Sequence, residues 1–247
     1  MGKNYHIQVD SKNAILELLK AGKSFEKIYV ATNAFKDPKT LAILSEARQR
    51  NIPVIKVARR SIDRKSRGRG TKSILGLLIS ENSWALDELL NHLFAQKKNP
   101  FFLILDNPKY SQNIGAIFRV AYASGVNGII LPVKQTSYID SEVTRVSMGA
   151  SERVPIVEMG IFECMKDLKK NGVKVLALQN DGEVYYKQDL KGPLAIVIGA
   201  EDEPISSKIL ERVDGEVSIP MREGIGELNV SVSTGILCYE KLRQEVS

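Results

Sequence analysis

The stretch Ile219–Glu240, IPMREGIGELNVSVSTGILCYE, decides the reading of this chain. A strand at 216–220 runs into a glycine-bearing loop, and a helix opens at Glu227-Leu228-Asn229. Leu228, Val232, Ile236 and Tyr239 recur at helical spacing, so most of that helix faces a core or an interface. Asn229 is out of place by that logic, because apolar contact alone would not select an amide at the helix start. Ser231 and Ser233 are either ligands or small residues in a close helix contact.

Two earlier stretches share this design of apolar strand, polar loop and helix. In LDNPKYSQNIGAIFRVAYASGVNGIIL a strand ends at Asp106, Asn113 precedes a helix near 113–124, and Gly115 lets the backbone approach a partner. Arg119 follows one to two turns into that helix. Free N–H groups at a helix start with an arginine nearby suit a phosphate. In PLAIVIGAEDEPIS an apolar strand (194–200) ends at Gly199-Ala200, and Glu201, Asp202 and Glu203 crowd the loop. Loops at the carboxyl ends of parallel strands form the ligand crevice of open α/β sheets.

The remaining pattern is α/β throughout. Strands at 101–106, 127–132 and 174–179 and helices near 140–149 and 161–171 complete a parallel sheet covered on both faces. The first part alternates a helix ending at Gly22, a strand at 27–31, a helix from Asp37 to Arg50 with Leu41, Leu44 and Ala47 on its apolar face, and strands at 53–57 and 73–80, as a small α/β sandwich. The sequence divides into an N-terminal domain (1–80), a linker helix (81–98) and a C-terminal domain (99–247). The linker carries Trp84, Leu86, Leu89, Leu90, Leu93 and Phe94, an amphipathic set that docks on something.

Charge points to a polyanion. Lys and Arg exceed Asp and Glu by 35 to 29. Ten basic residues fall between Arg48 and Lys72 against the single acid Asp63. Arg59, Arg60, Arg64, Lys65, Arg67 and Arg69 cluster in a loop made supple by Gly68 and Gly70. It reads either as a solvated surface or as a patch that contacts phosphates with little sequence preference. Cys164 and Cys238 stand apart without metal-ligand spacing, and read as two buried reduced thiols. No metal site is expected. There is no signal peptide pattern and no apolar run near the roughly 18 residues of a membrane span, so a cytoplasmic protein without membrane contact is expected. P-loop, dinucleotide and nucleophile-elbow motifs are absent, and His6 and His92 lie outside the C-terminal part.

Taken together, the ordered triple N-x-G-x-x-x-R (113–119), G-x-E (199–201) and I-P-M…L-N-V-S (219–231) resembles the SpoU branch of the SPOUT methyltransferases, and SMGASERVP (147–155) resembles a further family segment. The resemblance spans nearly the whole chain. It implies a small RNA substrate-binding domain ahead of a catalytic domain with a parallel sheet and a deep trefoil knot. It implies a homodimer joined through the C-terminal domain with the site at its interface, and S-adenosylmethionine held at Gly199, Ile219, Met221 and Leu228. By the same resemblance Arg119, Asn113, Glu201 and Asn229 are catalytic, with Arg119 the base or polariser of a ribose 2′-hydroxyl. The expected activity is methylation of that hydroxyl, on a guanosine of 23S rRNA. The alternatives are a tRNA enzyme and a non-catalytic RNA-binding or ribosome-assembly factor. Three positions depart from the family: Glu227 replaces a serine, Pro204 replaces a glycine, and Lys72-Ser73-Ile74 stands where His-Gln-Gly is usual.

Overall fold

The computed structural model of the chain describes residues 6–66, 72–79, 82–133, 139–200, 202–223 and 226–246. Glu201, Arg67 and Arg69 lie outside the described residues. The first unit runs β1 (His6–Val9), α1 (Lys12–Lys20), β2 (Phe25–Ala31), α2 (Pro38–Gln49), β3 (Val54–Val57), α3 (Arg59–Lys65) and β4 (Ile74–Ile79). Its four-stranded sheet has the order β1-β4-β2-β3, with only the β2–β3 pair parallel. Capping matches the sequence. Ser11 accepts from the Ala14 N–H, and Asp37 accepts from the Thr40 N–H with Pro38 at the first helical position.

Two expectations for this unit are corrected. The basic stretch is not wholly a loop, because Arg59–Lys65 is helical and Ile62 is fully buried beneath it. One apolar anchor among seven residues is too weak a periodicity to announce a helix. In α2 the buried face is Thr40, Ile43 and Ala47, while Leu41 is 52% exposed. Asp37 caps the Thr40 hydroxyl as well as its N–H, which lets a threonine turn inward.

The second unit runs α4 (Leu86–Ala95), β5 (Phe101–Leu105), α5 (Ser111–Ser124), β6 (Gly128–Leu131), α6 (Ser141–Val146), β7 (Ile156–Glu158), α7 (Ile161–Lys170), β8 (Lys174–Val184), β9 (Leu194–Ile198), α8 (Ser207–Leu210), β10 (Gly215–Ser218) and α9 (Val230–Val246). Six strands pair in the order β10-β8-β9-β5-β6-β7, all parallel. The continuous apolar strands follow from burial on both faces. Within β5, Phe101, Leu103 and Leu105 join the core shared with α5, while Phe102 and Ile104 face the second core. That second core holds Leu86, Leu89, Leu90 and Leu93 of α4 with Cys164, Met165 and Leu168 of α7, so the linker helix docks on the second sheet. The segment before α4 also hooks onto the sheet. The Trp84 N–H donates to the Ile156 carbonyl (2.9 Å) and the Ile156 N–H to the Asn82 carbonyl (2.8 Å), so Ser83 bridges in parallel to the outer edge of β7.

Several boundaries differ from the sequence reading. The strands β1 and β7, four and three residues long, fell below its resolution. β8 continues to Val184, and its pairing with β10 jumps from Ala177 to Glu183 between Glu216 and Val217; a Cβ at Gly182 would sit 2.6 Å from the Glu216 backbone. The helix expected near 140–149 ends at Val146, and a 3-10 turn follows at Ala150–Glu152. Helix α9 begins at Val230 rather than 227, and β10 stops at Ser218. Both cysteines are free and buried. Burial pushes the Cys164 thiol far up and the Cys238 thiol up to about 12, so neither is a nucleophile near neutral pH.

Gly115 permits a close approach, but its neighbour is a helix. An added Cβ would lie 2.7 Å from Val146 Cβ and 3.1 Å from the Val143 carbonyl oxygen of α6. Gly115→Ala is therefore expected to lower stability by about 2 kcal/mol through overpacking, read as a lower urea midpoint with an unchanged m-value.

Candidate active site

The sheet's carboxyl edge holds a cavity of about 560 Å³. Its walls come from Leu178–Asn180 of β8, from Ile198–Ala200 at the end of β9 with Asp202–Ile205 beyond it, from Ile219 and Met221 after β10, and from Glu227–Val230 at the start of α9. Tyr110 and Asn113 close it from the α5 side. Three of the sequence's loops thus meet at one place because parallel strands deliver their exits to the same edge.

The helix start at Asn229 explains its amide. The Asn229 Oδ1 accepts from the Ser231 N–H (2.9 Å) and from the Ser231 hydroxyl (2.6 Å), and its carbonyl accepts from the Val232 and Ser233 N–H groups. This is side-chain capping of α9. The other end of the amide, Nδ2, donates to Asn113 Oδ1 at 3.1 Å. Asn113 does not precede its helix as expected. It sits in the first turn of α5, which starts at Ser111 after Tyr110. Two helix N-termini therefore converge on one amide pair, and both bring positive dipole ends to the cavity.

Opposite them, an exposed polar lattice ties the β5–α5 loop to the β9 exit. Lys109 Nζ donates to Glu203 Oε1 (2.8 Å) and lies 3.5 Å from Asp202, and the Tyr110 hydroxyl donates to Asp202 Oδ2 (3.1 Å). The Glu203 carboxyl is held below the usual carboxylate range by the Lys109 ammonium, and the Lys109 amine is raised by Glu203 in return. The acidic run after Gly199 is in part a fastening of the site's rim. Lys109, Tyr110 and the β8 residues Leu178–Asn180 escaped the sequence reading. The polar run KYSQN after an apolar strand was the one signal for Lys109 and Tyr110.

Of the expected cofactor residues, Gly199, Ile219, Met221 and Leu228 all line the cavity. A Cβ at Gly199 would press on Ile205 at 3.1 Å, so glycine keeps this wall open. Volume, apolar walls from Ile198, Ile205, Ile219 and Leu228, and nearby backbone polar groups suit a cofactor the size of S-adenosylmethionine. Arg119 does not line it. It is exposed, about 9 Å along α5 from Asn113 at the ordinary helical rise. Arg59, Arg60, Arg64 and Lys65 are likewise exposed, on α3 in the first unit. The Lys65 ammonium lies 5.3 Å from the centre of the Tyr29 ring. Among the described residues no cluster of three or more histidines, cysteines or carboxylates is poised for a metal, and no helix is long and apolar enough to cross a membrane.

The C-terminal part is a parallel α/β unit with its cavity at the strand exits, preceded by a smaller basic unit, an arrangement that suits a small-molecule cofactor beside a polyanion. The comparisons give it a family. Residues 100–239 match the SpoU rRNA methylase family, and residues 12–73 match the RNA 2′-O ribose methyltransferase substrate-binding family. The chain belongs to the SpoU rRNA methylase family and is an S-adenosylmethionine-dependent RNA ribose 2′-O-methyltransferase. It is 32% identical over 85% of its length to the 23S rRNA (guanosine-2′-O-)-methyltransferase RlmB of Xanthomonas campestris, of which the match covers 86%. It is 29% identical over 97% of its length to the TrmH family tRNA/rRNA methyltransferase YacO of Bacillus subtilis, of which 96% is covered. The fold matches an AdoMet-bound rRNA methyltransferase from Sinorhizobium meliloti with a TM-score of 0.63 at 20% identity, over 98% of this chain and 88% of that one.

Proposed function

We propose that the enzyme methylates the 2′-hydroxyl of a guanosine in 23S rRNA. The observation that carries this is the convergence of Asn113, Gly199, Ile219 and Leu228–Asn229 on one cavity, in a chain whose first domain has the cationic helix α3. Relatives named as 23S rRNA guanosine methyltransferases match over more than four-fifths of the chain and support the choice of RNA.

When bound, S-adenosylmethionine supplies an electrophilic methyl group on its sulfonium. Gly199, Ile219, Met221 and Leu228 would hold it against the open wall of the cavity. The Asn229 amide is fixed at both ends, so its second N–H is free of rotational search and can fix a ribose or phosphate oxygen. Arg119 stabilises the 2′-oxygen as its proton passes to solvent water; a guanidinium does so as a fixed positive charge rather than as an ordinary base. Glu201 orients Arg119 in this reading. Glu227 borders the cavity and repels a phosphate placed at the usual serine, so the backbone is gripped elsewhere, by Arg119 and by Arg59, Arg60, Arg64, Lys65, Arg67 and Arg69.

The active unit in this proposal is a homodimer. Val232, Tyr239, Leu242 and Val246 form an exposed stripe along α9 at spacings of seven, three and four residues, and Leu228 continues it just before the helix. Tyr122, half-exposed on α5 among elements that contact α9, widens it. Such a stripe on a well-ordered helix supports a covered face. A second copy there would bring its Arg119 toward the cavity that Arg119 of the same chain does not line. The trefoil knot belongs to the same proposal. It is supported by the approach of Gly226 to β8, where the Asn180 amide donates to the Gly226 carbonyl at 3.3 Å.

The deciding experiment is methyl transfer from labelled S-adenosylmethionine to unmodified 23S rRNA and to total tRNA, mapped after nuclease digestion. One 2′-O-methylguanosine in 23S rRNA is expected. Incorporation only into tRNA, or none in the presence of cofactor binding, would overturn the assignment.

A further inference from the structure

A chain of hydrogen bonds joins the cationic helix to the first turn of α5. At its far end, the carbonyl of Lys65 is one of the unpaired groups at the end of α3. Gln8 Nε2 donates to it at 2.9 Å, from a side chain only 4% exposed. Gln8 lies on the edge strand β1, and its N–H reaches out of the sheet to the carbonyl of Ile139 at 2.7 Å. The next residue, Asp140, caps α6 by accepting from the Glu142 and Val143 N–H groups through Oδ1. Its other oxygen accepts from the Ser111 hydroxyl at 2.6 Å. Ser111 is the first residue of α5, two before Asn113, and Asn113 holds Asn229. The close contact of Gly115 with Val146 makes α5 and α6 move together.

We propose that Gln8, Asp140 and Ser111 are positioning residues that set the Asn113–Asn229 pair according to how the RNA is seated on α3. The inference rests on the reading of α3 as the RNA platform. None of the three lines the cavity, so none touches the reacting atoms. The Gln8–Lys65, Gln8–Ile139 and Ser111–Asp140 hydrogen bonds stand at joints between elements, which is where a small change in platform angle becomes a change in the direction of the α5 axis. Ser111 and Asp140 set the origin of α5 more tightly than its cap does, because Tyr110 offers no side-chain cap bond. This accounts for the buried amide of Gln8, which core formation does not require, and gives Asp140 a second role beside its capping of α6.

The test uses full-length Gln8→Ala, Ser111→Ala, their double variant and Ser111→Thr, with an unmodified 23S rRNA transcript and labelled cofactor. Each single alanine variant should lower kcat about tenfold with cofactor KM unchanged, since a misplacement of under an ångström at the reacting groups has effects of this size. Threonine at 111 should restore the rate, and the double variant should be no slower than the slower single one. Hydrogen exchange at residues 111–115 gives a reading without turnover: RNA should protect these amides in the wild type and not in Gln8→Ala. Rates within twofold of wild type in both single variants, or effects that multiply in the double, would overturn the proposal. So would Ser111→Ala lowering the rate only as far as it lowers the melting temperature. The platform reading is checked apart, by the triple Arg59→Gln, Arg60→Gln, Arg64→Gln variant. Weaker transcript binding by this variant is expected, and unchanged binding removes the platform and the relay with it.

Discussion

Arg119→Ala is expected to lower methyl transfer by about 10³-fold, the scale for loss of a positioned charge at a reacting oxygen, while cofactor affinity stays within a factor of two or so. The second half follows from geometry, because Arg119 is absent from the walls of its own chain's cavity. Gly199→Val is the complementary defect. Its side chain grows into the wall where a Cβ already lies 3.1 Å from Ile205, so cofactor binding fails while Arg119 stays intact. Each variant alone is inactive. Mixed and reassorted, they should recover about a quarter of wild-type activity, because half of random dimers are mixed and each carries one intact composite site. If Arg119 served the cavity of its own subunit, the mixture would stay inactive. Turnover mixing therefore tests the dimer and the role of the arginine together, and size-exclusion mass separates a missing dimer from a misassigned residue.

The second large effect concerns the end of α9. Lys241 is 4% exposed, and its ammonium donates to the Gly192 carbonyl at 2.7 Å and pairs with Glu245. Glu245 also accepts from the Gly192 N–H at 2.9 Å. Gln244 joins the same loop through the Leu190 N–H and the Gln188 carbonyl, and Glu240 holds both Gln244 and Arg243. This polar clasp binds the last turns of α9 to the segment that leads into β9. Lys241→Met keeps the volume and removes the donor, leaving a carbonyl and a carboxylate without their partner. A loss of about 3 kcal/mol is expected, read as a lower urea midpoint. The pH dependence has a definite sign. The Lys241 ammonium holds the Glu245 carboxyl below its ordinary range, and the Arg243 guanidinium does the same for Glu240. A depressed carboxyl stabilises the fold above its unfolded pKa, about 4.3 for glutamate, and that contribution is lost as pH falls through the lower folded value. The difference between wild type and Lys241→Met should be full at pH 7 and shrink below about pH 4.

Much of the catalytic domain was legible because its strands are long, apolar and regularly spaced with helices. Phe101–Leu105 and Leu194–Ile198 need no context to be read as buried parallel strands. What escaped depends on partners distant in sequence. β1 is four residues that make sense only against Ile74–Ile79, and α3 shows only through Ile62. Gly115 was correctly seen to need closeness, yet the sequence does not say to what; Val146 is thirty-one positions away. The cavity gathers Asn113, Gly199, Ile219, Met221, Leu228 and Asn229, residues that order and spacing single out in the sequence. Arg119 was placed with them by sequence and does not line the cavity of its own chain, because it points from α5 to solvent beyond the first turn. Leu228, Val232 and Tyr239, which helical spacing read as core or interface, are exposed and not part of the core.

The hook of Asn82–Trp84 over β7 bears on how the protein is made. A bare parallel edge strand is a template for wrong partners, above all while a chain is still emerging at high local concentration. Synthesis proceeds from the N-terminus, so the cover is exported some seventy residues before the edge it protects. Ile156 therefore meets its bridging partner already tethered by α4 to the growing sheet, and the last edge on that side is capped as it is born.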